Sequence, residues 1–219
     1  MSETICFFDV DHTLTRHSTG VSFIFEAARQ GLFKGKKMLS SIPFKFLAYR
    51  CGYVSFSDLP TFYPALSGIT RDELEGVSCS VFEKRIKADI YPTARELVAT
   101  LKSAGCKIVL ATAGLDFIVK PLAKYLETDA VISSSLEFRD GLSTGNFEGV
   151  PVFGTVKLDT AREFAGLHGT DLSHCSFYSD SFYDLPLLLE TGKSVAINPD
   201  RRLAREAAVH GWEILKFRL

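Results

Sequence analysis

The sequence predicts an α/β fold in which helices cover both faces of a doubly wound parallel sheet. Two observations predict it. First, five short apolar runs have the length and the lack of alternation that are typical of strands buried on both faces. They lie at 5–8, 108–111, 130–132, 176–178 and 195–197. Second, helical patterns separate the later runs, and strand–helix alternation of this kind is typical of a parallel sheet.

The helices between these strands are predicted from their periodicity and their ends. The segment 92–104 begins with Pro92, which suits a first helical turn, and stops before Gly105, which suits a helix terminus. Similar patterns predict further helices at 115–126, 157–167, 185–190 and 201–209.

Two segments interrupt this alternation. Residues 16 to about 90 contain no strand pattern, so we expect a helical insert directly after the first strand. Its helical patterns lie at about 19–32, 36–51, 57–66 and 71–87. The second segment, 136–145, contains Asp140-Gly141 between short alternating stretches, which predicts a β-hairpin.

The overall composition fits a globular protein and excludes several functional classes. The chain has 219 residues, 46% hydrophobic and 23% charged, which allows one large core with a small insert. Because 25 Lys and Arg balance 26 Asp and Glu, neither nucleic acid nor an anionic membrane is an expected partner. The five cysteines are scattered without a C-x-x-C pair, which favours a reducing compartment over a disulfide framework or a zinc site.

Neither a signal peptide nor a membrane span is predicted. Residues 1–4 contain no basic stretch and run directly into the first strand. The most apolar region, 42–66, is interrupted by charged residues and prolines and offers no window long enough to cross a bilayer. We therefore expect a cytoplasmic protein, whose oligomeric state the sequence does not give.

Two aspartates directly follow the first strand. Asp9 and Asp11 come after four apolar residues, and a strand repeat of two would place both on one side of the chain. Ligands bind at the carboxyl ends of strands in open α/β sheets. Two close carboxylates repel each other unless a cation or a shared proton lies between them. The ordinary alternative is that an aspartate here caps a turn or a helix.

Two further motifs are suited to an anion. Thr112, followed by Ala113, ends the second core strand, where a hydroxyl and backbone N–H groups can hold a phosphate. Lys157 opens a helix, and a cation there opposes the helix dipole unless it faces a negative ligand. The alternatives are a helix cap for Thr112 and a solvated surface position for Lys157.

The strand at 176–178 leads into two more aspartates. Asp180 would lie beside Asp9 if their strands are neighbours, and the two carboxylates would form an oxygen site suited to Mg²⁺. Asp184 is placed to hold Lys157 or the shell of the metal by hydrogen bonds. A helix cap is the alternative for Asp180.

The order of these motifs resembles the signature of the haloacid dehalogenase-like superfamily. D-x-D-x-T, a strand-end threonine, a lysine and S-D-x-x-x-D follow one another across essentially the whole chain. The hairpin before Lys157 and the segment 196–203 resemble the subfamily that contains phosphoserine phosphatase. The resemblance implies a Rossmann-like catalytic core of residues 1–15 and 91–219, with residues 16–90 as a small all-helical cap that selects the substrate.

The resemblance also implies the chemistry of the aspartates. Asp9 would be the nucleophile and a metal ligand. Asp11 would protonate the leaving group and then activate water, and its backbone carbonyl would bind the metal as well. Asp180 would complete the protein ligands of one Mg²⁺ ion.

By the same resemblance, the transferring phosphoryl group would be held by Thr112, Ala113 and Lys157. Asp184 and Thr13 would support the site. Splitting the reaction through an aspartyl-phosphate replaces one slow hydrolysis by two easier steps.

The sequence departs from the patterns it resembles in three places. In the fourth superfamily motif, Ser179 stands where glycine usually precedes the aspartate, a small change that we expect to be tolerated. Phosphoserine phosphatases usually have Ser-Gly-Gly where this chain has Thr112-Ala113-Gly114. Ser18 replaces a glutamate that binds the amine of the substrate. His17 and Ser18 are candidate substrate contacts at the start of the cap. We expect a small phosphomonoester as substrate, and the missing glutamate argues against phosphoserine.

Three other functions share parts of this pattern. A phosphotransferase would pass phosphate from Asp9 to an alcohol, and the sequence does not separate it from a phosphatase. A phospho-acceptor protein without turnover would lack both Asp11 and the insert. A carbon–halogen hydrolase would need no metal and would lack the second aspartate. The sequence therefore favours Mg²⁺-dependent hydrolysis of a phosphomonoester.

Overall fold

The computed structural model describes residues 4–33 and 64–218, and six strands within them form one parallel sheet. The strands are β1 (Ile5–Phe8), β2 (Lys107–Leu115), β3 (Ala130–Ser134), β6 (Ser176–Ser179), β7 (Lys193–Ile197) and β8 (Glu213–Leu215). Their order in the sheet is β3-β2-β1-β6-β7-β8. The predicted fold class is confirmed. The strand β8 is an addition, because its three residues are too short and too exposed to form a recognisable apolar run.

Between β1 and β2, the described residues contain helices and no strand. The helices are α1 (Thr19–Arg29) and α2 (Arg71–Val81), the latter extended by a π-helical turn (Phe82–Ile86) and one α-helical turn (Lys87–Asp89). A short 3₁₀ turn (Pro64–Leu66) precedes α2. The helix predicted at 36–51 and most of the one predicted at 57–66 lie outside the described residues.

The remaining helices lie where the sequence predicts them. They are α3 (Pro92–Ser103), α4 (Asp116–Leu126), α5 (Thr155–Leu167), α6 (Leu185–Glu190) and α7 (Arg201–His210). Among the helices that the structure describes, none is both long and apolar enough to cross a membrane.

The described part of the insert packs on the sheet. Phe23 of α1 and Leu74 of α2 belong to the same buried cluster as Leu110 of β2 and Phe117 of α4. The rings of Phe23 and Phe117 meet edge to face, with centroids 5.4 Å apart. Burial of these apolar side chains therefore holds α1 and α2 against β2 and α4. The division into a core of residues 1–15 and 91–219 and a cap of residues 16–90 stays a prediction.

The predicted hairpin is formed by β4 (Leu136–Arg139) and β5 (Leu142–Phe147). Its turn residues, Asp140 and Gly141, both have positive φ, as a tight two-residue hairpin turn requires. Ser143 of β5 exchanges backbone hydrogen bonds with the insert, to Gly68 N at 2.7 Å and Ile69 O at 2.9 Å. The hairpin thus attaches to the segment that leads into α2.

The strand register brings the predicted motifs to one edge of the sheet. Phe8 of β1 pairs with Leu110 of β2 on one side and with Tyr178 of β6 on the other. Asp9 follows Phe8 directly, and its N–H donates to the carbonyl of Tyr178 at 2.9 Å. Asp9, Thr112 and Asp180 therefore come one or two residues after this level on three neighbouring strands, toward the carboxyl edge of the sheet where ligands bind.

Candidate active site

Lys157 lies between two buried aspartates. Its Nζ is 3.0 Å from Asp9 Oδ1 and 2.7 Å from Asp184 Oδ1. Burial alone would lower the pKa of Lys157, but the carboxylates of Asp184 and Asp9 outweigh burial and raise this pKa above its usual range. Lys157 is therefore a buried, charged ammonium, and the surface alternative is wrong.

The start of α5 explains how a lysine reaches this position. Gly154, the N-cap residue, has a φ of 54° and offers no capping side chain. Lys157 is in the first turn, where exposed N–H groups and the helix dipole disfavour a cation. The two carboxylates overcome that cost. An anionic ligand at Lys157 would be favoured by its ammonium group and by the N–H groups of the first turn of α5.

Asp180 and Asp9 share the hydroxyl of Thr13. Thr13 Oγ1 is 3.5 Å from Asp9 Oδ2 and 3.4 Å from Asp180 Oδ1. Burial raises the pKa of Asp180 well above its usual range, and the carboxylate of Asp9 adds to the shift. Burial also raises the pKa of Asp9, against the attraction of Lys157. No cationic side chain of the described residues forms an ion pair with Asp180, so nothing in this part of the chain offsets the cost of its ionised form.

A Mg²⁺ ion beside Asp9 and Asp180 would stabilise the ionised forms that burial disfavours. Asp9 and Asp180 supply hard carboxylate oxygens, and the carbonyl of Asp11 lies two residues along the same chain. Mg²⁺ is usually bound by one or two carboxylates and keeps several waters, so this donor set is sufficient. In residues 4–33 and 64–218, no group of three or more His, Cys, Asp or Glu side chains is arranged to hold a metal. The proposed set requires only two such side chains.

The carboxylate of Asp11 contacts the start of α1. Its Oδ2 accepts a hydrogen bond from Ser18 Oγ at 2.9 Å, and its Oδ1 accepts from both N and Oγ1 of Thr19 at 2.8 Å. β1 ends at Phe8, before either aspartate, so strand alternation does not extend to them, and their placement on one side of the chain stays a prediction. Asp11 therefore links the site to the first helix of the insert.

Thr112 lies within β2, which extends to Leu115 and not only to the predicted end at 111. The pairing of β2 with β3 shifts register between Ala111 and Leu115. Thr112 Oγ1 accepts a hydrogen bond from Gly114 N at 3.1 Å, and Leu115, not Thr112, is the N-cap of α4. The capping alternative for Thr112 is thus wrong. Ala113, beside it, is partly buried.

The two candidate substrate contacts have partners within the chain. His17 binds the carboxylate of Asp89 through its backbone N at 2.7 Å and its Nδ1 at 2.8 Å. Ser18 is buried, donates to Asp11 and caps α1 by accepting from Val21 N. Asp89 is the last helical residue before the chain returns to the core, so the His17 contact joins the two ends of the insert. A substrate contact by either residue stays a prediction.

Asp200 supports the site although the sequence pattern assigns it no role. Its N–H donates to the carbonyl of Asp180 at 2.8 Å, and its Oδ2 accepts from Phe182 N at 2.8 Å. Its Oδ1 caps α7 by accepting from Arg202 N and Leu203 N. An aspartate before a helix predicts only the cap, so the contacts to the Asp180 loop could not be expected from sequence.

The family model for haloacid dehalogenase-like hydrolases matches residues 6–189, a range that includes all four motifs. The chain belongs to the haloacid dehalogenase-like hydrolases. Within this family of enzymes, it is 31% identical over 217 residues to a phosphoserine phosphatase of Mycobacterium tuberculosis, covering 97% of this chain and 70% of that protein. It is also 27% identical over 221 residues to a histidinol-phosphatase of Neisseria meningitidis, covering 99% and 100%.

The fold of this hydrolase also matches solved structures. A protein of unknown function from Bordetella pertussis Tohama I superposes with a TM-score of 0.87 at 25% identity, covering 98% of this chain and 99% of that one. The haloacid dehalogenase-like fold and the phosphoserine phosphatase-like grouping predicted from the motifs are thus confirmed.

Proposed function

We propose that this hydrolase is a Mg²⁺-dependent phosphatase that takes phosphate from a small phosphomonoester onto Asp9 and then releases it to water. One observation carries the proposal. A single buried lysine is shared by Asp9 and Asp184, while Asp180 lies beside Asp9 with no cation of the described residues to balance it. This arrangement is suited to a nucleophilic carboxylate that must approach a dianionic phosphoryl group.

The first step forms a bond between a carboxylate oxygen of Asp9 and phosphorus, while the bond from phosphorus to the alcohol oxygen breaks. Lys157 neutralises charge on Asp9 and on the arriving phosphoryl oxygens, and Thr112 lies at the same edge of the sheet. When bound, Mg²⁺ would neutralise further phosphoryl charge and orient the transferring group.

Asp11 is the proposed source of the proton that leaves with the alcohol. In the second step it would take a proton from water, which attacks the phosphorus of the aspartyl-phosphate and frees Asp9. In the described structure the carboxylate of Asp11 accepts three hydrogen bonds from Ser18 and Thr19. We infer that proton transfer requires Asp11 to exchange some of these bonds for the leaving oxygen.

The substrate is proposed to be a small phosphorylated metabolite other than phosphoserine. The phosphatases similar to this chain differ in their named substrates. Ser18 is neutral and its hydroxyl is engaged by Asp11, so it offers no carboxylate to a substrate amine. A cytoplasmic location, and the absence of nucleic-acid or membrane partners, stay predictions.

A metal-dependent screen tests the proposal. Protein stripped with a chelator is assayed for inorganic phosphate release from amino-acid, sugar, nucleotide and lipid phosphomonoesters, with and without added Mg²⁺. We expect release from at least one ester with Mg²⁺ and almost none without it. Full activity in the stripped protein would contradict the metal role. A folded, Mg²⁺-loaded protein that hydrolyses none of these esters would contradict the phosphatase.

A further inference from the structure

Ser179 is a buried serine at the end of β6, directly before Asp180. Its hydroxyl donates to Asp184 Oδ2 at 2.6 Å and accepts from Ser181 N at 3.1 Å. Both the donor and an acceptor site of the hydroxyl are therefore used. The family pattern usually has glycine at this position, so the contact to Asp184 is a property of the serine side chain.

The hydroxyl stands at one end of a continuous set of contacts. Asp184 Oδ2 accepts from Ser179, and Asp184 Oδ1 accepts from Lys157 at 2.7 Å. Lys157 in turn lies 3.0 Å from the carboxylate of Asp9. Because each oxygen of Asp184 has its own partner, the plane of this carboxylate is fixed. All four side chains are buried, where an unpaired polar atom is costly and contacts are little screened.

We propose that Ser179 is a positioning residue, whose hydroxyl orients Asp184 so that Lys157 is held against Asp9 and the arriving phosphoryl group. The proposal rests on the proposed function only for its catalytic consequence. Without the hydroxyl, Asp184 Oδ2 loses its donor in a buried site, and the carboxylate turns to take both of its bonds from Lys157. Lys157 is then drawn away from Asp9.

A crystal structure of Ser179→Ala tests the geometry without requiring turnover. We expect the carboxylate of Asp184 to rotate and the distance from Lys157 Nζ to Asp9 Oδ1 to exceed hydrogen-bonding range. Unchanged positions of Asp184 and Lys157 in the variant would overturn the proposal.

Turnover of para-nitrophenyl phosphate at saturating Mg²⁺ tests the consequence. We expect Ser179→Ala to lower kcat about tenfold, the loss that corresponds to one interaction made in the transition state. Ser179→Thr, which keeps a hydroxyl at this position, should retain most of the wild-type kcat. The matched control is Ser194→Ala, because this buried serine of β7 donates to the carbonyl of Leu188, away from the site. It should keep the wild-type kcat.

A double-mutant cycle separates positioning from general destabilisation. In an Asp184→Asn background, Ser179→Ala should cause less than about a twofold further loss, because the residue through which it acts is already altered. An equal loss in both backgrounds, or a wild-type kcat in Ser179→Ala, would overturn the positioning role. A wild-type protein without turnover would count against the proposed phosphatase, and the crystal structure of Ser179→Ala would then decide the inference.

Discussion

Replacing Lys157 by methionine measures what the buried cation contributes. Methionine keeps an unbranched side chain of similar length but removes the charge, leaving Asp9 and Asp184 buried without their shared partner. Removing one member of a buried ion pair costs about 3–5 kcal/mol. In a protein of this size each kcal/mol lowers Tm by about 2–4 °C, so we expect Tm to fall by roughly 6–20 °C.

The loss of folding stability caused by Lys157→Met should depend on pH. Burial already raises the pKa of Asp9, and Lys157 opposes that rise. Without Lys157 the pKa of Asp9 in the folded state rises further above its unfolded value. A folded state that binds protons more tightly than the unfolded state gains stability as pH falls through the raised pKa. The deficit should therefore be largest near about pH 8 and smaller near about pH 5.

Scanning calorimetry in chelator-containing buffer at both pH values measures this difference. The control is Lys120→Met, which removes an exposed pair with Glu75 and should cost at most about 1 kcal/mol. If Lys157→Met is no more destabilising than Lys120→Met at the higher pH, the site does not depend on a charged lysine. If the loss of stability does not shrink at the lower pH, Lys157 does not oppose the rise in the pKa of Asp9.

Two further predictions concern Glu26, where α1 contacts α2, and Asp200, beside the Asp180 loop. Glu26 is buried and accepts hydrogen bonds from Arg29, Gln30, Ser80 and Lys84. These bonds, led by that of Arg29, hold the pKa of Glu26 below its usual range, so its stabilisation is present above the ordinary glutamate pKa and lost as pH falls below it. Circular-dichroism melts should show Glu26→Gln less stable than the exposed control Glu83→Gln at neutral pH, and this difference in stability should disappear in acid. A difference that does not change with pH would show that the charge of Glu26 is not what stabilises the fold. Asp200→Ala and the control Thr70→Ala, which removes the N-cap side chain of α2, should each cost about 1 kcal/mol of stability. Only Asp200→Ala should raise the Mg²⁺ concentration needed for half-maximal thermal stabilisation. If both variants show the same Mg²⁺ dependence, Asp200 does not support the metal site.

Strands, helices and the main residues of the site follow from local patterns. The strand at 5–8 was predictable because strands buried on both faces read as unbroken apolar runs. The hairpin was predictable because Asp140-Gly141 suits a turn with two positive φ values. Lys157 stood out because a lysine in a first helical turn opposes the dipole, and the structure places it on two carboxylates.

The orientation of Asp11 and the contacts of Ser179 were not predictable from such patterns. His12, which follows Asp11, has a φ of 66°, and Asp11 accepts its hydrogen bonds from Ser18 and Thr19 beyond this turn. Ser179 looked like a tolerated replacement for glycine, because its partner Asp184 comes near only when the chain folds into a 3₁₀ turn. Both features depend on the path of the backbone and not on periodicity.

Trapping the phosphorylated enzyme tests most directly the claim that Asp9 carries the phosphate and Asp11 moves the proton. Para-nitrophenyl phosphate has a leaving group that needs no proton, so Asp11→Asn should still phosphorylate Asp9. Dephosphorylation should lose the roughly 10²–10⁴-fold help of a general base, so the intermediate accumulates. After an acid quench, intact-mass measurement should show one phosphoryl group on Asp11→Asn, mapping to Asp9, and none on Asp9→Asn. An adduct on another residue, or the same result for both variants, would contradict these roles.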